Sequence, residues 1–277
     1  MKEFRSVGVK ECRSEGVKVA VLQYPIVWGD VRQNVSLAVE RITALAGKAD
    51  IALLPEMFST GFCVDRPELA EPVNGYTITT MQQVADQCGI AVAGTFICRD
   101  GNKLFNRGFL LTPHDLPQFT DKRHLYATGG EDRFFTPGTR RNIFVYQGVK
   151  ILMLICYDVR FPVWARNVWG DDYDLILVSA NWPEARVKMW DILVASRAVE
   201  NQCYIVAANL VGDDGAGWHY NGHSVAYDTR MNELLGFADN EAGTRIADLP
   251  MPVLKHYREA LPLWRDTDRN LVRPFGV

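Results

Sequence analysis

The sequence predicts an α/β chain folded as a four-layer α-β-β-α sandwich, two mixed sheets with helices on their outer faces. Short apolar runs that read as buried strands recur along the chain and alternate with stretches of helical periodicity. Hairpin signals interrupt that alternation, which argues for a layered sandwich rather than a purely βαβ open sheet. The strand–helix–strand–helix–hairpin order ending at Lys122 also resembles, in outline, the hairpin–helix–strand–helix–strand order after it.

Val17–Gln23, VKVAVLQ, is the first strand. Val31, Val35, Ala38, Ile42 and Leu45 then step by 4, 3, 4 and 3 residues, one face of an amphipathic helix with Asp30 as N-cap and Gly47 as stop. Ile51–Leu54 is a buried strand closed by Pro55, with Glu56 directly after it. Thr77–Cys88 carries Ile78, Met81, Val84, Ala85 and Cys88 at helical spacing and stops at Gly89. Ile90–Cys98 and Leu104–Leu111 pair around Asp100-Gly101-Asn102. The stretch FTDKRHLYATGGEDRFFTPG has little periodicity and several glycines, so Lys122 and Glu131 are expected on a loop.

A second hairpin, Asn142–Tyr146 and Val149–Ile155 around Gln147-Gly148, delivers Cys156. A helix over Pro162–Trp169 and a strand over Leu175–Val178 follow. A long helix, about Glu184–Asn201, is expected to turn Met189, Ile192, Leu193, Ser196, Ala198 and Val199 inward. Tyr204–Asn209 is a strand, VGDDGAGWHYNGHS a glycine-rich loop, and strands near Val225–Asp228, Glu233–Gly236 and Thr244–Asp248 close the fold. From Pro250 the chain reads as a helix-poor tail with Pro262, Trp264, Pro274 and Phe275 in a packing or interface role. Residues 1–16 are a polar lead-in, expected to be poorly ordered, and 17–277 show no linker composition and read as a single domain.

Composition narrows the function. Thirty basic residues against 33 acidic give a net charge of −3, no footprint for nucleic acid or an anionic membrane. No apolar run approaches the ~18 residues of a membrane span, and MKEFRSVGVKECRSEG lacks the apolar core of a secretory signal. The six cysteines make no CxxC pair and the five histidines no ligand spacing, so a reduced, cytoplasmic enzyme is expected.

The chemistry centres on ILMLICYDVRFP, where Cys156 ends a buried strand and Pro162 suits the first turn of a helix. Ligands of α/β sheets collect at such strand ends, and a helix N-terminus favours thiolate. A free thiol near its reference pKa of ~8.5 needs a neighbouring base to act as a nucleophile at neutral pH. Glu56 is a candidate base if its pKa is raised, and Lys122 a candidate stabiliser of the charge on an attacked carbonyl. Taken singly, each has a plainer reading: Cys156 as a small core hydrophobe, Glu56 as a surface carboxylate, Lys122 as a solvated cation.

Spacing and flanks join them. LLPEMFSTGF, DKRHL with its lysine 66 residues beyond Glu56, and LICYDVRFP with its cysteine 34 further on resemble the nitrilase superfamily of carbon–nitrogen hydrolases. NWP at Asn181–Pro183, RAVENQCYIVAAN at Arg197–Asn209 and GHS at Gly222–Ser224 extend the resemblance to nearly the whole chain. PEMFSTGF, KRHLYATGGE and FPVWARN look most like its bacterial omega-amidase branch, which acts on 2-oxo-acid amides.

That resemblance implies Glu56 as general base, Lys122 as oxyanion stabiliser, Cys156 as nucleophile, the backbone N–H of Tyr157 as the second oxyanion donor, and Glu131 as a second active-site glutamate. The implied reaction passes through a cysteine thioester and uses no metal or organic cofactor. The expected partners are a small-molecule amide and, by the resemblance, a second copy of the chain in a homodimer or larger homo-oligomer, formed through helices beside the cysteine strand and through the tail. The distal carboxylate of such a substrate calls for an arginine or for backbone donors. Arg160 and, less directly, Arg186 are candidates, although the resemblance casts Arg160 as the structural partner of a nearby acid. Phe62 and Trp182 are expected to wall the pocket, and Trp218 and His219 to cap its entrance. An N-carbamoyl amino acid amidohydrolase or a nitrilase would carry the same triad. A non-catalytic interaction protein would be signalled by a missing triad member, and all three are present.

Overall fold

The computed structural model describes residues 16–168 and 172–266. The lead-in over 1–15, Trp169, Pro274 and Phe275 lie outside the described residues, as does the side chain of Trp264.

In chain order, β1 (Val17–Gln23), α1 (Val31–Thr43), β2 (Ile51–Leu53), α2 (Tyr76–Cys88) and β3 (Ala91–Asp100) alternate as expected. The hairpin partner β4 (Lys103–Leu111) leads to β5 (Gln118–Asp121), a one-turn helix α3 (Glu131–Phe134), and the second hairpin, β6 (Ile143–Tyr146) and β7 (Val149–Ile155). Then come α4 (Pro162–Ala165), β8 (Leu175–Ser179), α5 (Val187–Asn201) and β9 (Tyr204–Ala208). A small hairpin, β10 (Val211–Asp213) and β11 (His219–Asn221), precedes β12 (Val225–Tyr227), β13 (Glu233–Gly236), β14 (Gly243–Leu249) and α6 (Met251–Ala260).

The strands form two six-stranded sheets, ordered β14-β1-β2-β3-β4-β5 and β13-β12-β9-β8-β7-β6. Each has a parallel trio at its centre, β1-β2-β3 in one and β7-β8-β9 in the other, flanked by antiparallel strands. Successive side chains of a strand point to opposite faces, and the apolar runs satisfy both. Val19 and Val21 of β1 and Leu53 of β2 pack against Ile151, Met153, Leu177 and Val206 of the other sheet. Ala20, Leu22, Ala52 and Val92 face outward onto Val35, Ala38, Ile42, Ile78 and Met81 of α1 and α2. Leu152, Leu154, Ile176 and Val178 face Trp164, Trp190, Val194 and Ala198 of α4 and α5. This is the expected four-layer sandwich. It explains why the central strands are apolar throughout: both faces are covered.

Local signals also act as read. Asp30 accepts a hydrogen bond from Gln33 N–H at 3.0 Å and caps α1. Gly89, at φ 66°, ends α2 in the left-handed conformation that costs glycine little. Among the described residues no helix is long and apolar enough to cross a membrane.

Four expectations are corrected. The stretch expected to be all loop begins with strand β5, paired antiparallel with β4, and Glu131 opens the one-turn α3, while Lys122 lies directly after β5 on the loop as read. The helix after Cys156 is only Pro162–Ala165, preceded by a tight 3₁₀ turn over Cys156–Arg160. Asn167 bonds both backbone groups of Tyr173 and takes its own N–H to Asn201, which carries the chain out of helix. Of the face assigned to the long helix, Met189 (49% exposed), Ile192 (67%) and Val199 (41%) point to solvent. Trp190, Val194 and Arg197 are buried in their place, because Arg197 turns inward to donate to Val159 O at 2.9 Å and rotates the buried stripe. Finally, the tail after Pro250 forms α6. Pro252 falls in its first turn, where no N–H is needed, and Arg258 ties it to Gln202 O and Asp174.

Candidate active site

β2 and β8 are the middle strands of the two parallel trios, and their carboxyl ends meet. Ser179 Oγ donates to Leu54 O (2.8 Å) and Glu56 N–H to Ala180 O (3.4 Å), which stitches one sheet to the other. Glu56 is fully buried and every recorded partner of its carboxylate is a donor. Oε1 accepts from Lys122 Nζ at 2.8 Å and from Asn106 Nδ2 at 2.7 Å; Oε2 accepts from the Asn181 N–H at 3.0 Å.

Lys122 arrives from β5 and is held by its backbone, N–H to Asn106 O and C=O to Gly138 N–H. Its ammonium reaches Glu131 Oε2 at 2.7 Å as well as Glu56, with the Phe62 ring 5.7 Å from Nζ. Glu131 opens α3, accepts the Tyr126 N–H at 2.7 Å, and takes the second N–H of Asn106 at 3.1 Å. The three ionic side chains have no solvent exposure. Burial pulls the Lys122 pKa down, but the charges of Glu131 and Glu56 outweigh it and hold the ammonium above its ordinary value. Burial pushes Glu131 up, against the opposing pull of Lys122.

Cys156 is the first residue of the 3₁₀ turn, at φ 45°, a conformation that strains a residue with a side chain. The turn is pinned by Asp158, whose Oδ2 accepts Ile155 N–H (3.2 Å) and whose Oδ1 accepts His124 N–H (2.9 Å), two residues past Lys122. The Cys156 thiol points at Asn181 O, 3.9 Å away. Burial, then the Glu56 charge, raise the thiol pKa well above the ordinary value; Lys122 opposes them. The thiol therefore rests protonated beside a carboxylate.

A cavity of about 490 Å³ opens onto Cys156 and Lys122. The sequence-predicted Phe62, Tyr157, Arg160, Trp182 and Trp218 all line it. His219 does not; it is bound to Asp213 and Asn240. Arg160 has no acidic partner among the described residues, contrary to expectation. It donates to Met189 Sδ (3.3 Å) and lies 4.8 Å over the Trp182 ring.

Two residues that sequence reasoning did not single out complete the site. Asn106 joins the carboxylates; its only signal was a polar residue at an inward position of a strand. Asn181, in NWP, is 5% exposed and lines the cavity with both side-chain polar atoms lacking protein partners.

A thiol, a carboxylate and an ammonium converging on one cavity are suited to acyl transfer from a carbonyl. The carbon–nitrogen hydrolase family model matches residues 18–259, and the chain belongs to that family. It is 38% identical to the omega-amidase YafV of Escherichia coli K12 over 254 residues, covering 91% of this chain and 97% of that protein. It is 28% identical to a 2-oxoglutaramate amidase of Bacillus subtilis, covering 91% and 98%. Among solved structures, a CN-hydrolase superfamily protein of Xanthomonas campestris, with an arsenic adduct in its active site, superposes with a TM-score of 0.89 at 32% identity, covering 91% and 97%.

Proposed function

We propose that the chain hydrolyses the terminal amide of a small 2-oxo acid, such as 2-oxoglutaramate or 2-oxosuccinamate, to the carboxylic acid and ammonia. The observation that carries this reading is the buried Glu56–Lys122–Glu131 network set against Cys156 at the floor of the cavity. The omega-amidase and 2-oxoglutaramate amidase relatives support the substrate class.

Glu56 takes the thiol proton as Cys156 Sγ bonds to the amide carbon. The Lys122 ammonium and the Tyr157 N–H receive the oxyanion. Glu56 returns its proton to the nitrogen, the C–N bond breaks and ammonia leaves a thioester. A water then gives a proton to Glu56 and attacks the thioester carbon; collapse releases the acid, and the thiol is regenerated with that proton. Glu131 keeps Lys122 charged and placed. Phe62 and Trp182 wall the substrate, and Arg160 adds positive charge to the cavity. The inter-sheet core, with residues from both sheets, supports reading the chain as a single domain. Exposed Met189, Ile192 and Val199 on α5, with Val163 on α4, support self-association on that face, which sedimentation tests.

Ammonia release from 2-oxoglutaramate, 2-oxosuccinamate, an N-carbamoyl amino acid and a nitrile ranks the substrate classes. The 2-oxo amides are expected to lead; if they were the poorest of the four, the omega-amidase reading would fall.

A further inference from the structure

Among the described residues four arginines line the cavity, Arg66, Arg133, Arg160 and Arg186, against the acid Asp65. Arg66 is paired with Glu68 at 3.2 Å, and Arg133 is exposed. Arg160 spends an N–H on Met189 Sδ. Arg160 also lies over two rings, Tyr157 at 5.9 Å and Trp182 at 4.8 Å, so what sets Arg186 apart from it is that none of its side-chain N–H groups is engaged by another described residue. The Arg186 guanidinium carbon lies 5.4 Å from the Tyr126 ring centre and 5.3 Å from that of Trp218, so it rests over two ring faces. Among the described residues its side-chain N–H groups have no hydrogen-bond partner and no carboxylate. Ring faces hold a guanidinium without using its N–H groups, which stay available to an anion.

Each support of Arg186 is itself fixed. The Tyr126 N–H is bound by Glu131, so this ring is anchored to the ionic network around Lys122. Arg186 O accepts the indole N–H of Trp182 at 2.9 Å. Trp218 N–H and Ala216 N–H both donate to Asp214 Oδ1, and the Tyr220 hydroxyl donates to Asp214 Oδ2, which locks the tip of the β10–β11 hairpin. Gly215 packs so closely on Trp28 that a Cβ there would come within 2.3 Å of the indole. A half-buried cation with idle donors, held rigid at the wall of a cavity, is built to receive a charge that the chain does not supply.

We infer that Arg186 is the specificity-determining residue of the site: it pairs with the carboxylate at the far end of the substrate and selects omega-amides of 2-oxo acids over neutral amides. The inference rests on the omega-amidase reading and deepens it.

The test compares kcat/KM for 2-oxoglutaramate and for its neutral methyl ester, in the intact protein, Arg186→Gln, Arg186→Lys and Arg160→Gln. Arg186→Gln is expected to lose roughly 30- to 100-fold more on the acid than on the ester, mostly through KM. Arg186→Lys should recover part of that difference, since it keeps the charge without the fork. Equal losses on acid and ester, or a selective loss carried by Arg160→Gln instead, would overturn the assignment to Arg186. Should the unmutated protein itself show no preference for the acid, the omega-amidase reading fails rather than this residue's role alone.

Discussion

Replacing Asn106 by leucine removes the donor that both active-site carboxylates share, with little change in volume. Asn106 is 1% exposed on β4, and its Nδ2 serves Glu56 at 2.7 Å and Glu131 at 3.1 Å, while its Oδ1 has no partner. Two hydrogen bonds to ionised groups contribute ~1.5–3 kcal/mol each, and deleting the orphaned Oδ1 returns ~1–3, so the net destabilisation is about 2–3 kcal/mol at pH 8. The pH dependence has a definite sign. A donor to a carboxylate favours its ionised form, so its loss raises the carboxylate pKa. The penalty in N106L is therefore largest above the carboxylate range and shrinks as the pH falls and the carboxylates protonate. The same shift moves the acid limb of kcat/KM to higher pH, by about one unit for each 1.4 kcal/mol lost on the base. Urea unfolding at pH 8 and pH 5, with a pH–rate profile, reads all three. A loss under ~1 kcal/mol at pH 8, or an acid limb that stays put or moves down, refutes the role given to Asn106.

Cys156→Ala should reduce turnover to background and leave stability within ~1.5 kcal/mol, because a small side chain is lost at a strained position; calorimetry and ammonia release check the two separately. Iodoacetamide, followed by peptide mass mapping, should label Cys156 ahead of buried Cys63, Cys98 and Cys203, since Cys156 opens onto the cavity with Glu56 near enough to take its proton, and the other three do not line that cavity; comparable rates at all four thiols would count against an activated nucleophile. Glu131→Gln is expected to lower kcat by roughly 10²-fold, since Lys122 loses one of its two counter-charges; an unchanged kcat removes Glu131 from the machinery. For His223, burial lowers the pKa, but the hydrogen bonds to Asp239 and Asp191 outweigh it and raise it. Its contribution to stability is thus complete below ~6.5 and fades as the pH rises through the raised value, so the melting-temperature gap between the protein and His223→Gln should be wider at pH 6 than at pH 9.

What the sequence revealed follows from how local each signal is. Asp30, Gly89 and the Asp100-Gly101-Asn102 turn act within a few residues, and the structure has them where they were read. Glu56, Lys122, Cys156 and Glu131 could be named because each stands in a motif; their convergence, through strands drawn from both sheets, could not be read from any window. Two of the misses, the inner face of α5 and Asn106, share one cause. Met189 and Ile192 were read as core and Arg197 was not, yet the 3₁₀ turn at Cys156 leaves Val159 O needing a donor, and a buried carbonyl outranks the packing of two apolar side chains. Asn106 was invisible for the same reason. A polar residue inside a strand has no pattern to announce it until the carboxylates it serves are folded around it.

The charge count at the site explains why two glutamates attend one lysine. Glu56 and Lys122 alone would be a neutral pair, and a proton arriving on Glu56 would leave the ammonium buried without a counter-charge, at a cost of several kcal/mol. In the proposed reaction that proton transfer is the first step. With Glu131 at 2.7 Å from Nζ, Lys122 stays paired throughout, and its remaining donor capacity is free for the oxyanion as it forms. With both glutamates ionised the site carries one negative charge in excess, and burial together with the Glu56 charge raises the Cys156 thiol well above its ordinary pKa. In the proposed reaction the negative charge then moves from Glu56 to the substrate oxygen, with the ammonium as the fixed point of the transfer.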